Sequence, residues 1–167
     1  MRPIVADSDP LIAFARIEQL ELLKKLYNRI LIPTAVAEEI APKGLRKKGM
    51  IALQAYPWIA VQDPQDPQLL NIVSAHLGTG ERAAIALAYE HDLELFTDDA
   101  KARKEAQRLG ISVFGSLAAL LDAKERGFIP KVKPLLDALI KKGFWLSPKL
   151  YQDVLVSAKE SKRTPRV

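Results

Sequence analysis

Short apolar segments alternate with longer segments of helical periodicity, and this alternation constrains the fold more than any other feature of the sequence. The segments that predict β-strands are residues 2–6, 29–32, 58–61, 93–97 and 111–115. The segments that predict helices are residues 10–17, 18–27, 34–41, 69–77, 78–92, 98–110 and 116–127, followed by two helices that begin at Pro130 and Ser147. Strands joined by helices run parallel. The sequence therefore predicts a single-domain α/β/α sandwich with a central, mainly parallel sheet.

The length of the chain, 167 residues, suits one domain with a sizeable core. We expect this domain to span residues 1–160 and the basic tail at residues 161–167 to be disordered. The last two helices could form a small appendage. No apolar run approaches the length that crosses a bilayer, and the chain does not begin with a signal-peptide pattern. These observations predict a cytoplasmic protein with no membrane partner.

The composition restricts the kind of metal site that the chain can build. There are no cysteines and only two histidines, which excludes thiolate chemistry and a His-rich site. A metal would be held by oxygen ligands, which favours Mg²⁺ or Mn²⁺ over Zn²⁺. The formal net charge of +5 suits a polyanionic partner such as RNA. The basic segment at residues 42–49 is predicted to be a solvated loop.

Acidic residues follow two of the predicted strands, at the ends where ligands bind in open α/β sheets. They are Asp7 and Asp9 after the first strand, and Asp98 and Asp99 after the fourth. If these strands are neighbours, up to four carboxylates face one crevice, to which Glu39 and Glu81 could add two more. Crowded carboxylates raise one another's pKa, and a divalent cation removes this conflict. The pattern therefore indicates a cation site that could serve phosphodiester hydrolysis.

Structural roles compete with this interpretation. Asp9, directly before Pro10, is well suited to be the N-cap of the first helix, as is Ser8. One of Asp98 and Asp99 could cap the following helix, which leaves the other available. The two tryptophans, Trp58 and Trp145, are predicted to lie in the core or at an interface rather than to stack on bases.

Four stretches, taken in order, resemble the PIN-domain nucleases, in particular a PIN-like branch related to the toxin ribonucleases of toxin–antitoxin pairs. They are VADSDPLI at residues 5–12, IPTAVAEEI at 32–40, LGTGERAAIALA at 77–88 and LFTDDAKARKEAQRLGISVFGSLAALL at 95–121. The resemblance covers roughly residues 1–160. The chain departs from the branch at Asp9, where Ser or Thr is usual.

The resemblance implies a metal-dependent endoribonuclease, a hydrolase that uses Mg²⁺ or Mn²⁺ and that could be the toxin of a toxin–antitoxin pair. Its catalytic acids would be Asp7, Glu39, Glu81, Asp98 and Asp99, of which all except Glu39 would bind metal. We expect the substrate to contact Ser8, Arg82, Lys101 and Arg103. The implied partners are RNA, a small antitoxin protein and a second copy of the chain in a homodimer.

Two other functions remain open at this stage. The Asp-x-Asp pattern of Asp7 and Asp9 is also found in haloacid dehalogenase-like phosphatases, in which the first Asp is phosphorylated. That reading leaves Glu39 and Glu81 unexplained, and we find no clear Lys motif between the acid pairs. The third possibility is a catalytically silent PIN fold that binds RNA or a protein.

Overall fold

The fold is described from a computed structural model, in which residues 1–42 and 50–161 are described. The predicted basic loop at residues 42–49 therefore lies outside the described residues except for its first residue. The predicted tail at residues 161–167 lies outside them except for Ser161.

Five parallel strands form one sheet in the order β3-β2-β1-β4-β5. They are β1 Ile4–Ala6, β2 Ile30–Ile32, β3 Ile59–Val61, β4 Leu95–Phe96 and β5 Val113–Phe114. The registers across the centre of the sheet pair Val5 with both Leu31 and Leu95. Each predicted strand is present, which confirms the predicted α/β/α sandwich with a parallel sheet.

The central strands are buried on both faces because their side chains alternate between two apolar layers. Ile4, Ala6 and Phe96 belong to the cluster on one face, whereas Val5 and Leu95 belong to the cluster on the other. Such near-continuous burial explains why these segments read as short runs of apolar residues rather than as alternating ones. The sheet therefore forms the middle layer of the molecule.

Eight helices cover the sheet in the described part of the chain. They are α1 Ser8–Arg16, α2 Leu20–Tyr27, α3 Thr34–Ile40, α4 Thr79–His91, α5 Ala100–Arg108, α6 Ser116–Glu125, α7 Lys133–Lys141 and α8 Pro148–Ser157. The buried residues of α4 and α5 pack on one face, and those of the other six helices pack on the opposite face. None of the described helices is both long and apolar enough to cross a membrane.

The last two helices are part of the main core rather than an appendage. Leu136 and Leu139 of α7, and Val154 and Leu155 of α8, are buried in the same apolar cluster as Phe96 of the central sheet. Amphipathic helices of this kind bury their apolar face against the nearest uncovered surface, which here is the layer that contains α6.

The segment at residues 69–77, predicted to be helical, is shorter and of a different type. A 3-10 helix spans Pro67–Ile72, and Val73 then adopts an extended conformation. Arg82 donates a hydrogen bond to the carbonyl oxygen of Leu70, and Arg108 donates one to that of Ile72. Because these carbonyl groups are bound by side chains from α4 and α5, an α-helix is not needed to satisfy them.

Candidate functional site

The order of the strands reverses between β1 and β4, and this is where ligands bind in open α/β sheets. From β1 the chain continues outward through β2 and β3, whereas β4 and β5 extend the sheet on the other side of β1. The backbone N–H of Asp7 donates to the carbonyl oxygen of Phe96, with 2.9 Å between N and O. This bond places Asp7 beside Thr97, so the residues that follow the two strands share one crevice.

Asp7 is held by both of its carboxylate oxygens and is only 2% exposed. It is the N-cap of α1, and its Oδ1 accepts the backbone N–H of Ser8 at 2.8 Å. Its Oδ2 accepts the hydroxyl of Thr97 at 3.2 Å. The prediction that Asp9 or Ser8 caps this helix is therefore wrong, because the chain turns into the helix one residue earlier. Asp9 lies exposed in the first turn, where its charge is favourable to the helix dipole.

The environment of Asp7 disfavours its ionised form. Burial raises its pKa to about 7, the backbone N–H of Ser8 opposes this effect, and the negative charges of Asp9 and Glu81 add to it. A carboxyl group with this pKa binds and releases protons near neutral pH. A cation beside it would favour the charged form instead.

Glu39 reaches the same region from the last turn of α3. Its Oε2 accepts the hydroxyl of Ser8 at 2.6 Å, although the residue as a whole is exposed. A Cβ atom at Gly80 would overlap Oε1 of Glu39. The absence of a side chain at Gly80 thus allows the start of α4 to approach the Glu39 carboxylate closely.

Glu81 lies in the first turn of α4, next to Gly80. Its Oε2 accepts the backbone N–H of Gly78 at 2.9 Å, which satisfies one of the free donors at the start of that helix. Its charge also acts on Asp7. Glu81 therefore stabilises the start of α4, as the structural interpretation of this residue requires. The same position brings its carboxylate close to the crevice.

Asp98 is tightly bound by the start of α6. Its Oδ1 accepts the backbone N–H of Ser116 at 2.7 Å, and its Oδ2 accepts the Ser116 hydroxyl at 2.5 Å. A Cβ atom at Gly115 would lie 2.6 Å from Oδ1, so this approach also depends on a glycine. Burial raises the pKa of Asp98, the two bonds from Ser116 and the charge of Arg103 oppose the rise, and the charge of Asp9 adds to it.

Asp99 has a different position from its neighbour. It is the N-cap of α5, and its Oδ2 accepts the backbone N–H of Ala102 at 2.8 Å. Its own backbone N–H donates to the hydroxyl oxygen of Thr97 at 3.2 Å, which connects it to Asp7 through that hydroxyl. Of the two consecutive acids, Asp99 is therefore the helix cap, and Asp98 is the one that lines cavities together with Asp9.

The four residues predicted to contact substrate are not all close to the acids. Ser8 is bound to Glu39, and Arg103 lines a cavity together with Asp98. The Arg82 side chain is directed to the Leu70 carbonyl, and its Nε is buried without a hydrogen-bond partner in the described structure. Lys101 lines a separate cavity. Their positions on α4 and α5 turn Arg82 and Lys101 away from the crevice, which sequence spacing alone could not show.

The acids surround one end of the sheet, but they do not form a preassembled metal cage. Among residues 1–42 and 50–161, no three Asp, Glu or His side chains lie close enough together to hold a metal ion. The carboxylates of Asp7, Asp98 and Asp99 accept hydrogen bonds from the protein instead.

The donor set nevertheless fits Mg²⁺ or Mn²⁺ in kind. The groups around Asp7 are hard oxygen donors, and the neighbouring charges of Asp9 and Glu81 create the repulsion that a cation would relieve. Asp7, which follows β1, is buried, and Asp98, which follows β4, is half-buried. They are the residues of this chain best suited to hold such an ion.

Two hydroxyl residues of the site do not stand out in the sequence. Thr97 and Ser116 are fully buried, and they donate to Asp7 and Asp98 respectively. Thr97 directly precedes the acid pair, and Ser116 follows a glycine at the end of a predicted strand. These places next to strand ends are the signal that could have identified them.

The comparisons with known proteins agree with this geometry. The family model DUF3368, described as a PIN domain, matches residues 3–160. A solved structure of a PilT N-terminus domain protein from the hyperthermophilic archaeon Sulfolobus solfataricus P2 is similar, with a TM-score of 0.50 and 16% identity over 87% of this chain and 100% of that one. This level of identity shows the fold alone. No curated protein matches the chain. The resemblance found in the sequence is confirmed, and the chain belongs to the DUF3368 family of PIN domains, a fold that is generally that of metal-dependent nucleases.

Proposed function

We propose that this protein is a metal-dependent ribonuclease that hydrolyses phosphodiester bonds with Mg²⁺ or Mn²⁺. The observation that carries the proposal is the burial of Asp7 at the point where the strand order reverses, among other negative charges. Burying a carboxylate among like charges is unfavourable for folding, and such arrangements occur where function requires them. Membership of a fold that is generally nucleolytic supports the same conclusion.

The side chains have distinct roles in this proposal. Asp7 and Asp98 would hold the cation, with Glu39 and Glu81 contributing at its sides. The ion, when bound, would supply an activated water and neutralise charge on the phosphate. The Ser8 hydroxyl orients the Glu39 carboxylate, while Thr97 and Ser116 fix the orientation of the two buried acids.

RNA is the substrate that we propose, because the net charge of +5 of the whole sequence favours a polyanionic partner. Contacts to the phosphate backbone would give binding that weakens with salt and selects RNA by its shape. A role as the toxin of a toxin–antitoxin pair, inhibition by a small antitoxin protein, and a homodimeric assembly are part of the same proposal. They rest on the resemblance of the sequence to that branch of the family.

The described structure offers no support for the two alternative functions. In the phosphatase reading, the contact of Glu39 with Ser8 and the charge of Glu81 acting on Asp7 would have no role. A catalytically silent module would not require Glu39 to lie against a glycine at the start of α4.

The experiment compares cleavage of labelled structured and unstructured RNA in Mg²⁺, Mn²⁺ and EDTA. We expect cleavage in either metal, none in EDTA, and none by Asp7→Asn. The matched control is Asp66→Asn, which makes the same substitution at an exposed N-cap, whose side chain accepts the Gln68 N–H. This control should cleave like the unmodified protein. Undiminished cleavage by Asp7→Asn would refute the assignment, and turnover of p-nitrophenyl phosphate without RNA cleavage would favour the phosphatase.

A further inference from the structure

Trp145 is the most exposed large apolar side chain in the described structure, at 83%. It lies in the turn between α7 and α8. The other tryptophan, Trp58, is 8% exposed and packs edge-on against Tyr56. The prediction that both tryptophans lie in the core or at an interface is thus correct for Trp58, whereas Trp145 is not in the core. Tryptophan is enriched at binding interfaces, where its ring contributes a large apolar surface and a polar N–H.

Trp145 lies beside two cavities that both reach the acidic site. The first, of about 470 Å³, is lined by Asp98, Arg103 and Trp145, among others. The second, of about 300 Å³, is lined by Asp9, Arg16, Asp98 and Trp145, among others. Asp98 and Trp145 therefore belong to the walls of both. A ligand that covers the indole would lie next to an acid of the proposed catalytic centre.

Each cavity has one arginine in its wall in addition to the aromatic ring of Trp145. Arg103 acts electrostatically on Asp98, and Arg16 is exposed and forms no hydrogen bond or ion pair with the described residues. An aromatic ring that shares a cavity wall with each of two guanidinium groups is complementary to a nucleotide, because the ring offers a stacking surface and the cations attract phosphates. Asp98 is an acid in the walls of both cavities; Asp153 of α8 belongs to the wall of the first and Asp9 to that of the second.

We propose that Trp145 is the platform on which an unpaired base of the RNA substrate stacks, with Arg16 and Arg103 binding the flanking phosphates. The proposal rests on the proposed ribonuclease function and specifies its substrate as single-stranded RNA. A base that stacks on a side chain must leave its own helix, so paired RNA cannot use this surface. Trp145 selects and positions the strand and is not a catalytic residue.

The test measures binding without cleavage, in EDTA, with a 2′-O-methyl oligonucleotide as the probe. The chain contains two tryptophans, so quenching of the exposed one can be followed by fluorescence, while anisotropy of a labelled oligonucleotide gives the affinity. We expect the single strand to quench Trp145 and a blunt duplex of the same sequence not to do so. Trp145→Ala should weaken binding about 5- to 150-fold, the range that stacking of one base provides, and Trp145→Phe should retain most of the affinity.

The matched control is Tyr89→Ala, which removes an exposed aromatic residue near the far end of α4 and should leave binding unchanged. Circular dichroism confirms that the variants fold.

Equal affinity of Trp145→Ala and the unmodified protein overturns the proposal, as does equal quenching by duplex and single strand. Self-association in sedimentation experiments without RNA that is abolished by Trp145→Ala also overturns it, in favour of an interface with a second copy. Binding that depends on Trp145 without cleavage in Mg²⁺ or Mn²⁺ would refute only the proposed function, whereas cleavage unaffected by Trp145→Ala would refute only this inference.

Discussion

Asp7→Asn should stabilise the metal-free protein, although it removes a residue on which the proposed activity depends. Asp7 has a pKa of about 7 in the folded protein, compared with 3.8 when it is free of that environment. Ionising it in the fold therefore costs free energy that a neutral amide avoids. Asn is as good an N-cap as Asp, so its side-chain oxygen can still accept the Ser8 N–H, and its amide can donate to the Thr97 hydroxyl oxygen.

The size and sign of the effect follow from proton linkage. Between pH 3.8 and about 7 the folded state binds more protons at Asp7 than the unfolded state, so the unmodified protein loses stability as the pH rises through this window. The difference between the two pKa values corresponds to about 4 kcal/mol when the whole penalty is present, above pH 7. Relaxation around the charge reduces the penalty. We therefore expect Asp7→Asn to be about 2–4 kcal/mol more stable at pH 8, and less than half of that at pH 5.

Urea denaturation in EDTA at pH 5 and pH 8 measures these differences as shifts of the midpoint at constant slope. Asp66→Asn again serves as the control and should unfold like the unmodified protein at both pH values. Adding Mg²⁺ at pH 8 should stabilise the unmodified protein and leave Asp7→Asn unchanged, because an ion that binds only the folded state raises its stability. The reasoning is refuted if Asp7→Asn is no more stable than the unmodified protein at pH 8, or if its advantage is the same at both pH values.

Three further variants test the supporting contacts. Gly80→Ala should lower RNA cleavage about tenfold while the free energy of unfolding changes by less than about 1 kcal/mol, because the new methyl group displaces the Glu39 carboxylate but favours the helix. Ser116→Ala removes a donor to the ionised form of Asp98 and so raises the pKa of that acid, and the pH–rate profile should show its acidic limb moved to higher pH. Glu160→Ala should destabilise the protein by about 2–4 kcal/mol in urea titrations, because it leaves two backbone donors near the start of α7 and the Lys124 ammonium without their carboxylate. If RNA cleavage, the pH–rate profile and the stability in urea are unchanged in the respective variants, these contacts do not contribute to activity or stability.

The architecture could be predicted from the sequence because local signals agree with one another along most of the chain. Apolar runs of strand length, bounded by turn or capping residues, identify all five strands, and Gly110 after α5 has the positive φ that its place beyond a helix end predicts. The positions of Asp7 and Asp98 after strand ends follow from the same reasoning, since parallel strands end at the same side of the sheet.

The details that depend on contacts between distant segments could not be predicted. Whether Asp98 or Asp99 caps α5 is decided by Ser116, which lies 18 residues further along the chain from Asp98 and binds its carboxylate. The segment at residues 69–77 is a 3-10 helix only as far as Ile72, and arginines from other helices bind two of its carbonyl groups. Hydrophobic periodicity contains no information about such partners. It therefore predicts whether a segment is a helix or a strand more reliably than it predicts which residue caps a helix or how exposed a side chain is.

The order in which the parts of the crevice occur along the chain affects how the protein would mature on the ribosome. All five acids precede residue 100, whereas the aromatic wall formed by Phe144 and Trp145 comes more than forty residues after the last of them. A nascent chain that has emerged only as far as β4 would carry the acids but lack the aromatic surface proposed to bind single-stranded RNA. Competence to bind a nucleotide would thus arise late in translation, once the turn between α7 and α8 has been synthesised and has joined the cavity walls.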